Sequence, residues 1–493
     1  MLHSRTMITI LLLLGTTMFA AENVAQWPQF RGPGGTGLAA EGSAPVEFGI
    51  SKGLLWKTDV PAGHSSPSIW GDRIFLTAGD KQTKKLEILC LDRKTGKILW
   101  RREVMAEKIE KQNDIGSPAT ATPAVDGERV YVYFGSYGLV CFDHQGNRQW
   151  DMPLPVHDKG QGGGTSPILI GEALILSRDN NPEAYLLALD RRTGKTLWKQ
   201  PYAVDKFPGA ANTATPVLLK DEIVIHRSSE VVAYDRKTGA RKWWVKIQST
   251  GTGTPVAGPD AVYVPVWFAV GEPDLRVPFP EFAALLKERD KDGDGMLSKE
   301  EFPEKIQLAQ RPEVNVKGAN ITLPGSVFFG GIDANHDGKV DKAEWDAFIA
   351  NIAKMPEHGL LAIKSGGEGD VTGTGVLWRE PRSVPEVPAP LYSKQRVYMV
   401  TNGGVVSCMD ATSGKLLFRS RLGAGGAYFA SPVMAGGNVY FTSGDGVISA
   451  IRDNDKFELV ARNDLQEPIF ATPAIVDGAV YVRTTGHLFA FGK

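Results

Sequence analysis

The stretch EILCLDRKTGKILW, residues 87–100, contains an apolar run, a polar turn and a second apolar run that ends in tryptophan. Asp92 can accept hydrogen bonds from backbone N–H groups and Gly96 can adopt positive φ, which is the chemistry of a tight turn. We therefore predict a β-hairpin with Trp100 on its second strand. The same turn recurs as DRRTGK (190–195), DRKTGA (235–240) and DATSGK (410–415), and one residue shorter as DHQGNR (143–148).

These hairpins belong to a longer repeat, in which each unit opens with a proline that follows a small residue. An apolar strand, a turn and an alternating strand such as RVYVYF (129–134) come next, and the hairpin completes the unit. Four short antiparallel strands per unit, repeated eight times, predict an all-β fold, the eight-bladed β-propeller. The opening prolines are Pro67, Pro123, Pro167, Pro216, Pro255, Pro390, Pro432 and Pro473.

The two ends of the chain are predicted to share one blade. The last unit stops at HLFAFGK (487–493) without a fourth strand, and LLWKTD (54–59) has the character of the missing one. Such closure removes the free sheet edges of the ring. We assign the aromatic residues of the fourth strands to packing between blades rather than to cofactor stacking. They are Trp56, Trp100, Trp150, Trp198, Trp243, Trp378 and Phe418.

The pattern D-x-x-T-G-x-x-x-W, at Asp92–Trp100, Asp190–Trp198 and Asp235–Trp243, resembles the PQQ-like β-propeller repeat. The resemblance covers about residues 54–272 and 359–493. That family includes quinoprotein alcohol dehydrogenases and the propeller lipoprotein of the outer-membrane assembly machinery. The resemblance therefore implies the fold and leaves the activity open. The leading segment WPQFRGPGGTG (27–37) also resembles the start of many exported bacterial propellers of this group.

One interval in the repeat is too long. Pro255 and Pro390 are 135 residues apart, whereas the other intervals are 39–56 residues. The long interval falls between the second-strand pattern of AVYVPVWFAV (261–270) and the third-strand pattern of GLLAIK (359–364), so we predict an insert within one blade. The predicted organisation is a signal peptide (1–20), an N-terminal segment (21–53), the first part of the propeller (54–271), the insert (272–358) and the second part of the propeller (359–493).

The insert contains two twelve-residue stretches, DKDGDGMLSKEE (290–301) and DANHDGKVDKAE (333–344), with oxygen donors at positions 1, 3, 5, 7, 9 and 12. Ca²⁺ binds six to eight oxygens, and a glycine at position 6 allows the loop to bend sharply. Both stretches resemble the EF-hand, a helix–loop–helix calcium site. The predicted ligands of two Ca²⁺ ions are Asp290, Asp292, Asp294, the Met296 carbonyl, Ser298 and Glu301, and Asp333, Asn335, Asp337, the Lys339 carbonyl, Asp341 and Glu344.

The remaining expectations for the insert concern its shape and position. We predict a small all-α module in which Leu297 and Val340, at position 8, pair the two loops, and in which Pro303 shortens the first exit helix. In an antiparallel blade the fourth-to-first and second-to-third connections emerge on one face. The insert should therefore share a face with the loops at 102–120, 151–165 and 199–213, and we expect this to be the working face.

The N-terminus indicates export. His3 and Arg5 precede the apolar run MITILLLL (7–14), and Ala20-Ala21 supplies a cleavage site, as in a secretory signal peptide. The apolar run is shorter than the roughly 20 residues needed to span a bilayer, so we expect a periplasmic or extracellular protein without a stable membrane span. A net charge of −1 gives no basic field for nucleic acid. Three cysteines do not make a disulfide framework, and we interpret them as small buried residues: Cys90, Cys141 and Cys408.

These patterns favour a non-enzymatic calcium-binding scaffold with a protein or polymer ligand on the loop-rich face. One alternative is a PQQ-dependent quinoprotein oxidoreductase. The family resemblance implies that such an enzyme would carry PQQ in the central channel with an aspartate and its own Ca²⁺, and we do not expect PQQ because the vicinal cysteine pair of many members is missing. Another is an envelope assembly factor, which the missing lipobox cysteine disfavours. We expect a structural rather than a regulatory role for calcium.

Two further groups of residues carry weaker expectations. A hydrolase or lyase could use residues of the loops on the predicted working face, but their spacing defines no mechanism. The glycine-rich stretches GPGGTG (32–37) and GQGGGT (160–165) are expected to be flexible loops. The hydrolase candidates are His64, His157, Asp114 and Asp158.

Overall fold

The structure is a computed structural model that describes residues 24–492, apart from 41, 114, 205–209, 269–270, 273–275, 311–319 and 354–357. The predicted signal peptide and Asp114 therefore lie outside the described residues. Eight four-stranded antiparallel sheets surround a common axis, which confirms the all-β class and the eight-bladed β-propeller. In the described ranges, no helix combines the length and the apolar character that crossing a membrane requires.

The first strands of neighbouring blades contact one another, which shows that each blade begins at the axis. Blade 1 contains Ser68–Trp70, Arg73–Asp80, Lys85–Asp92 and Ile98–Met105, and blade 2 contains Ala124–Val125, Arg129–Phe134, Gly138–Asp143 and Arg148–Pro153. Blade 3 contains Ile168–Ile170, Ala173–Asp179, Ala184–Asp190 and Thr196–Tyr202, and blade 4 contains Val217–Leu219, Glu222–His226, Glu230–Asp235 and Arg241–Lys246. Blade 5 contains Val256–Ala257, Ala261–Val266, Gly359–Lys364 and Val376–Glu380, and blade 6 contains Leu391–Ser393, Arg396–Thr401, Val405–Asp410 and Leu416–Arg421. Blade 7 contains Val433–Ala435, Asn438–Thr442, Val447–Arg452 and Leu459–Asp464, and blade 8 contains Ala474–Val476, Ala479–Arg483, His487–Phe491 and Leu54–Asp59.

Blade 8 closes the ring with strands from both ends of the chain, as predicted. Leu54–Asp59 pairs antiparallel with His487–Phe491 and becomes the outermost strand of that blade. Two blades also gain a short fifth strand. Gln26–Trp27 adds to the axial strand of blade 1, and Gly369–Asp370 runs parallel to the outer strand of blade 4.

The repeated hairpin has the predicted chemistry, and at several boundaries it contacts the neighbouring blade. Asp92 Oδ1 accepts hydrogen bonds from the backbone N–H groups of Lys94 and Thr95. Gly96 has φ of +71°, and a Cβ at this position would lie 2.5 Å from an indole carbon of Trp56 in blade 8. The Trp56 indole donates to the carbonyl of Arg93 at 3.0 Å. The same indole–carbonyl bond joins Trp100 to His144, Trp150 to Arg191 and Trp378 to Ala411.

A second set of contacts between blades lies at the axis, in the residue before each opening proline. The backbone N–H of Ser66 donates to Thr122 Oγ1, that of Thr122 donates to Ser166 Oγ, and the pattern continues around the axis with donor–acceptor distances of 2.9–3.1 Å. We call this set the hydroxyl ring. Its hydroxyls belong to Ser66, Thr122, Ser166, Thr215, Thr254, Ser431 and Thr472.

The hydroxyl ring has one gap. Blade 6 has Ala389 at this position, so the N–H of Thr254 in blade 5 faces no hydroxyl there. The N–H of Ala389 itself donates normally to Ser431 Oγ at 3.0 Å. Seven of the eight boundaries between blades are therefore joined at the axis.

The N-terminal segment crosses the axis. We call residues 26–39 the axial segment. Besides its pairing in blade 1, it accepts a hydrogen bond from Val125 N–H at the Pro28 carbonyl and one from Leu169 N–H at Gln29 Oε1. Leu38 bridges to Met434 in blade 7 on the opposite side of the ring. Contacts on both sides of the ring require the segment to pass across the channel.

The glycine-rich part of the axial segment was expected to be a flexible loop, and the structure places it in the channel instead. Gly32 packs on the indole of Trp27, which is fully buried, and Gly37 lies against Leu391 and Pro432 of two blades. Both glycines have φ above +70°, and a Cβ at either would lie within 3.0 Å of these neighbours. The chain is therefore crowded at Gly32 and Gly37, whereas Gly34 between them is exposed.

The insert leaves blade 5 after Val266 and returns before Gly359, between the second and third strands as predicted. It contains α1 (Phe282–Arg289), α2 (Ser326–Ile332) and α3 (Lys342–Ala353). Leu297–Ser298 pairs with Lys339–Val340, and Leu297 is opposite Val340, which confirms the predicted contact between the two loops. A hairpin of Lys305–Gln310 and Asn320–Pro324 is an addition that the sequence did not predict.

The hairpin replaces the exit helix of the first loop. After one turn, in which Phe302 N–H donates to the Ser298 carbonyl, the chain reaches Pro303, which has no N–H to continue a helix. The extended strand Lys305–Gln310 follows almost at once. The insert is therefore helical around its second loop and mixed around its first, so the all-α description does not extend to the whole insert.

We expect the hydroxyl ring to contribute measurably to stability. Replacing Thr122 by valine keeps the shape but leaves the buried Ser66 N–H without an acceptor, which should cost about 1–2 kcal/mol of unfolding free energy. For a chain of this length that lowers the calorimetric midpoint by roughly 1–2 °C. Thr196→Val, at an exposed position on an outer strand, is the control and should change the midpoint by less than about 0.5 °C.

The gap provides the reverse test of the same prediction. Ala389→Ser offers an acceptor to Thr254 N–H and should raise the midpoint by up to roughly 1 °C. An unchanged midpoint in Thr122→Val would show that the ring bonds are replaced by water without loss.

Candidate functional site

Two features stand out on the face that bears the fourth-to-first connections, which we call the upper face. One is the pair of acidic loops in the insert, and the other is a cavity on the axis. The base of the insert is fixed to this face. Ser383 N–H, in the connection from blade 5 to blade 6, donates to Glu272 Oε1 at 2.7 Å. Phe268 N–H donates to His358 Nδ1 at 3.1 Å, which closes the two ends of the insert against each other.

The first loop folds its carboxylates towards a common centre. One oxygen from each of Asp290, Asp292 and Asp294 lies within 4.8 Å of the others. Ca²⁺ binds oxygens at 2.3–2.6 Å, so oxygens on opposite sides of one ion are about 5 Å apart. Asp290 is held in place by the N–H groups of Gly293 and Gly295, at 2.7 and 3.0 Å. The spacing of these three carboxylates fits one such ion.

Glu301 closes the first loop from its last position. Its Oε1 accepts from Lys291 N–H at 2.8 Å, and its Oε2 accepts from Ser298 N–H and Oγ at 3.0 and 2.7 Å. These hydrogen bonds lower the pKa of the Glu301 carboxyl to about 2, so the group is ionised at neutral pH. Gly295, with φ of +81°, forms the bend that brings both ends of the loop together.

The second loop repeats this arrangement. Asp333 accepts from the N–H groups of Asp337 and Gly338, both at 3.1 Å. Glu344 accepts from Ala334 N–H at 2.9 Å and from Asp341 N–H at 3.1 Å, as Glu301 does in the first loop. In both loops the last glutamate is therefore held by the N–H groups of positions 2 and 9, and the first aspartate by the N–H group of position 6.

The side chain of Lys339 links the two loops, which the sequence did not predict. Its backbone carbonyl belongs to the second loop, whereas its ammonium group pairs with Asp292 and Asp294 of the first, at 3.4 Å for Asp292. A residue chosen for its main-chain oxygen gives no sequence signal for its side chain, because any residue can occupy position 7.

The loops rest on a shared aromatic core. Phe282 of α1, Phe302 and Trp345 of α3 pack around the paired residues Leu297 and Val340. The Trp345 indole also donates to the carbonyl of Pro280 at 3.2 Å. The apolar residues that flank the two loops in the sequence form or pack against this core, namely Phe282, Leu285, Leu286, Phe302, Phe329, Ile332, Trp345 and Phe348.

The second feature is an axial cavity of about 290 Å³ above the axial segment. Phe30 of that segment forms its floor, and the hydroxyl ring forms the wall just above. Exposed residues of the upper loops, Asn113, Ile115 and Gln161, form its rim. The channel is therefore closed from below and open to the upper face.

One side of the cavity is aromatic. The His64 ring stacks on Phe470, with centroids 4.4 Å apart and an interplanar angle of 13°. Phe470 in turn stacks on Phe429 at 5.1 Å. All three rings are half-buried and line the cavity, and they come from the connections that lead into blades 1, 8 and 7. A single aromatic residue before each of these strands gave no signal, because only the ring closure brings the three together.

The hydrolase candidates do not converge. His64 stacks on Phe470, as described above. His157 is buried, and its backbone N–H donates to the Gly135 carbonyl. Asp158 Oδ1 accepts from Asn181 N–H at 3.2 Å. Among the described residues no hydrogen bond joins these three side chains to one another. Cys90, Cys141 and Cys408 are free and buried, as the sequence indicated.

Comparison with known protein families finds a match in the propeller and another in the insert. The family model for outer membrane protein assembly factor BamB matches residues 50–161 and 370–456, and the EF hand model matches residues 282–304 and 328–349. These matches support calcium binding by the insert. No curated protein has a significant sequence match to the chain.

Solved structures share the fold at low identity. A europium-containing methanol dehydrogenase is 14% identical with a TM-score of 0.56, covering 95% of this chain and 98% of that one. A quinohemoprotein alcohol dehydrogenase from Pseudomonas putida HK5 is 12% identical with a TM-score of 0.51, covering 95% and 80%. BamB from Moraxella catarrhalis is 12% identical with a TM-score of 0.49, covering 89% and 98%. At these identities the likeness concerns the fold alone.

Buried histidines predict acid sensitivity. Burial lowers the pKa of His64, His157 and His226 to about 4 and that of His358 to about 3, so all four stay neutral in the folded chain at pH 5 and become charged on unfolding. Burial raises the pKa of Glu110 to about 7, so this carboxyl is protonated in the folded chain at pH 5 and releases its proton on unfolding. Unfolding near pH 5 should therefore take up about three protons, and stability should fall by up to roughly 4 kcal/mol per pH unit as the pH drops from 6.5 to 5.

Urea unfolding at several pH values measures this dependence. His64→Phe keeps an aromatic ring against Phe470 and should reduce the slope by about one proton, whereas His336→Asn, at an exposed loop position, should not. A stability that is constant between pH 6.5 and 5 would contradict the burial of these imidazoles.

Proposed function

We propose that this PQQ-like β-propeller with an inserted EF-hand pair acts as an exported, calcium-binding scaffold without catalysis of its own. In this proposal two Ca²⁺ ions occupy the insert, and a protein or polymer ligand binds to the upper face. The leader-like residues 1–20 support export to the periplasm or beyond.

The observation that carries the calcium proposal is the shared orientation of the two loops. In each, the first aspartate and the last glutamate accept hydrogen bonds from backbone N–H groups of the loop, and in the first loop one oxygen from each of Asp290, Asp292 and Asp294 lies within 4.8 Å of the others. The ligands of the first ion would be Asp290, Asp292, Asp294, Ser298, Glu301 and the Met296 carbonyl; those of the second would be Asp333, Asn335, Asp337, Asp341, Glu344 and the Lys339 carbonyl.

Ion binding would also rearrange charge between the loops. In the structure the Lys339 ammonium pairs with two of the carboxylates that the first Ca²⁺ would need. A divalent ion at the centre would displace the ammonium, because both compete for the same oxygens. The role we assign to calcium is structural, since ordered loops would stiffen the module that stands beside the upper face.

The absence of catalysis is proposed from the chemistry of the axial cavity. PQQ carries three carboxylates, and the family resemblance implies that a catalytic PQQ site also holds a metal ion such as Ca²⁺. The described lining of this cavity has hydroxyl, amide and aromatic side chains, no lysine or arginine, and Glu386 as its one carboxylate. These residues do not fit a tricarboxylate with a divalent ion, which supports a scaffold over a quinoprotein.

A ligand on the upper face is favoured by the construction of the molecule. The lower mouth of the channel is closed by the axial segment, whereas the upper loops, the cavity and the insert lie together. Binding residues concentrate on loops that a rigid scaffold positions. An envelope assembly role is the second candidate, and the family match over residues 50–161 and 370–456 is the observation that favours it.

Calorimetric titration of the mature chain with Ca²⁺ tests the two-site proposal. We expect two ions per chain, with dissociation constants of about 10⁻⁴–10⁻³ M if the module resembles other extracellular EF-hands. Glu301→Gln and Glu344→Gln should each remove one ion, because each deletes one charge of a bidentate ligand. Glu300→Gln, next to Glu301 in the sequence, is the matched control and should keep both ions. No heat of binding at millimolar Ca²⁺ would overturn the proposal.

A loading experiment tests the non-catalytic proposal. The mature chain is incubated with PQQ and Ca²⁺, desalted, and assayed with a redox dye for oxidation of alcohols and sugars. We expect neither the absorbance of retained PQQ nor dye reduction above that of a heat-denatured sample. Stoichiometric retention of PQQ with dye reduction would identify an oxidoreductase instead.

A further inference from the structure

The axial cavity has two chemically different walls. The aromatic row of His64, Phe470 and Phe429 lies on the side of blades 7, 8 and 1. The other side, from blade 2 to blade 5, is lined by threonines in two layers. These are Thr120, Thr122, Thr213, Thr215, Thr250, Thr252 and Thr254.

The hydroxyl ring supplies hydrogen-bond donors to this cavity. Each of its seven hydroxyl oxygens accepts one backbone N–H from the neighbouring blade. None of the seven O–H groups donates to an atom of the described residues. A hydroxyl can donate and accept at once, and all seven residues line the cavity. The wall therefore offers a circle of free donors to a ligand rich in acceptor oxygens.

The aromatic row offers the opposite surface. Phe429, Phe470 and His64 are each partly exposed to the cavity and expose ring area there. Burial lowers the pKa of His64 to about 4, so that its ring is neutral and is an aromatic surface like its neighbours. Such a row favours a flat ligand with an apolar face, which loses little by leaving water on that side.

The charge of the lining limits the ligand further. The described lining contains no lysine or arginine, so an anionic ligand would find no ion-pair partner among these residues. Arg31 lies behind the floor, fully buried, and its Nη2 donates to the carbonyls of Thr36 and Pro390 at 3.2 and 2.6 Å. Arg31 is not among the residues that line the cavity. Glu386 at the rim would repel an anion.

We propose that the axial cavity binds one uncharged sugar unit, such as the end of a glycan chain. A pyranose has an apolar face of C–H groups, which would lie on Phe470 and Phe429, and a periphery of hydroxyls, which would meet the threonine wall. The cavity volume of about 290 Å³ lies at the lower limit of ligand pockets, about 300–1,000 Å³, and is closed below by Phe30. The site therefore takes a chain end and not the middle of a polymer.

This proposal rests on the proposed function in one respect, because it names the class of polymer that the upper face would bind. Its own test is saturation-transfer difference NMR of the mature chain with the methyl glycosides of glucose, galactose, mannose and N-acetylglucosamine, and with methyl glucuronide as the anionic comparison. We expect transfer to at least one neutral glycoside, strongest at the ring protons of its apolar face, and a weaker response from the glucuronide.

Two variants connect the signal to the cavity. Phe470→Leu removes a stacking surface and should weaken binding about fivefold to tenfold. Thr213→Val removes one hydroxyl without changing the shape and should weaken it about twofold to tenfold. The matched controls are Phe457→Leu, a half-buried aromatic on the outer part of blade 7, and Thr196→Val, and both should bind within about twofold of the parent.

Three outcomes would overturn the sugar proposal: no transfer to any of the four neutral glycosides, equal weakening by Phe470→Leu and Phe457→Leu, or tighter binding of the glucuronide. Each leaves the calcium scaffold intact, since calcium binding is measured by calorimetry at the insert. Conversely, a failure to detect calcium binding by calorimetry would overturn the calcium scaffold and would not affect a sugar signal that depends on the axial cavity.

Discussion

The structure depends on how eight similar sheets are held in one closed ring. Seven of the eight boundaries between blades are joined by the axial hydroxyl of a serine or threonine, and several are joined again near the rim by an indole that donates to the neighbouring hairpin. Neither contact lies within a single repeat, so an isolated blade would satisfy none of them. Leu54–Asp59 pairs with the last strand of the chain and so closes the ring. Without this strand, the outer edge of blade 8 and the blade 1 hairpin that Trp56 contacts would be exposed to solvent. A rigid ring is what allows loops, insert and cavity to keep fixed relative positions.

The sequence predicted the elements that repeat and missed those that appear once. Eight proline openers and the D-x-x-T-G turns were sufficient for the blades, since each residue type there has a local reason in strand or turn chemistry. The small residue before each proline was noticed, but its hydroxyl gave no sign of a partner, because that partner lies about forty residues away in the next blade. The path of the axial segment was missed for the same reason. GPGGTG reads locally as an open loop, and only the crowding of Gly32 against Trp27 shows otherwise.

The two acidic loops were predictable because the order of residue types in a twelve-residue loop is local and needs no long-range contact, and their individual ligands stay a prediction. The exit of the first loop was only half predicted. Pro303 indicated a shortened helix, but the strand that follows depends on a partner, Asn320–Pro324, on the far side of the connector. The aromatic row of the axial cavity could not be predicted at all. Its three rings come from the two ends of the chain and meet only when the ring closes.

The gap in the hydroxyl ring and the insert occur at the same place. Ala389 opens blade 6, and the unsupported boundary therefore lies beside blade 5, the blade that carries the insert. Other contacts cross this boundary instead. Tyr263 stacks on Tyr392 with centroids 5.6 Å apart, and its hydroxyl donates to the carbonyl of Ala411. At the axis, Arg31 Nη2 donates to the Pro390 carbonyl, so the axial segment supports blade 6 where the ring hydroxyl is missing. Side chains and the axial segment therefore keep the ring closed at this boundary, which borders blade 5, the blade whose second and third strands are separated by the insert at 272–358.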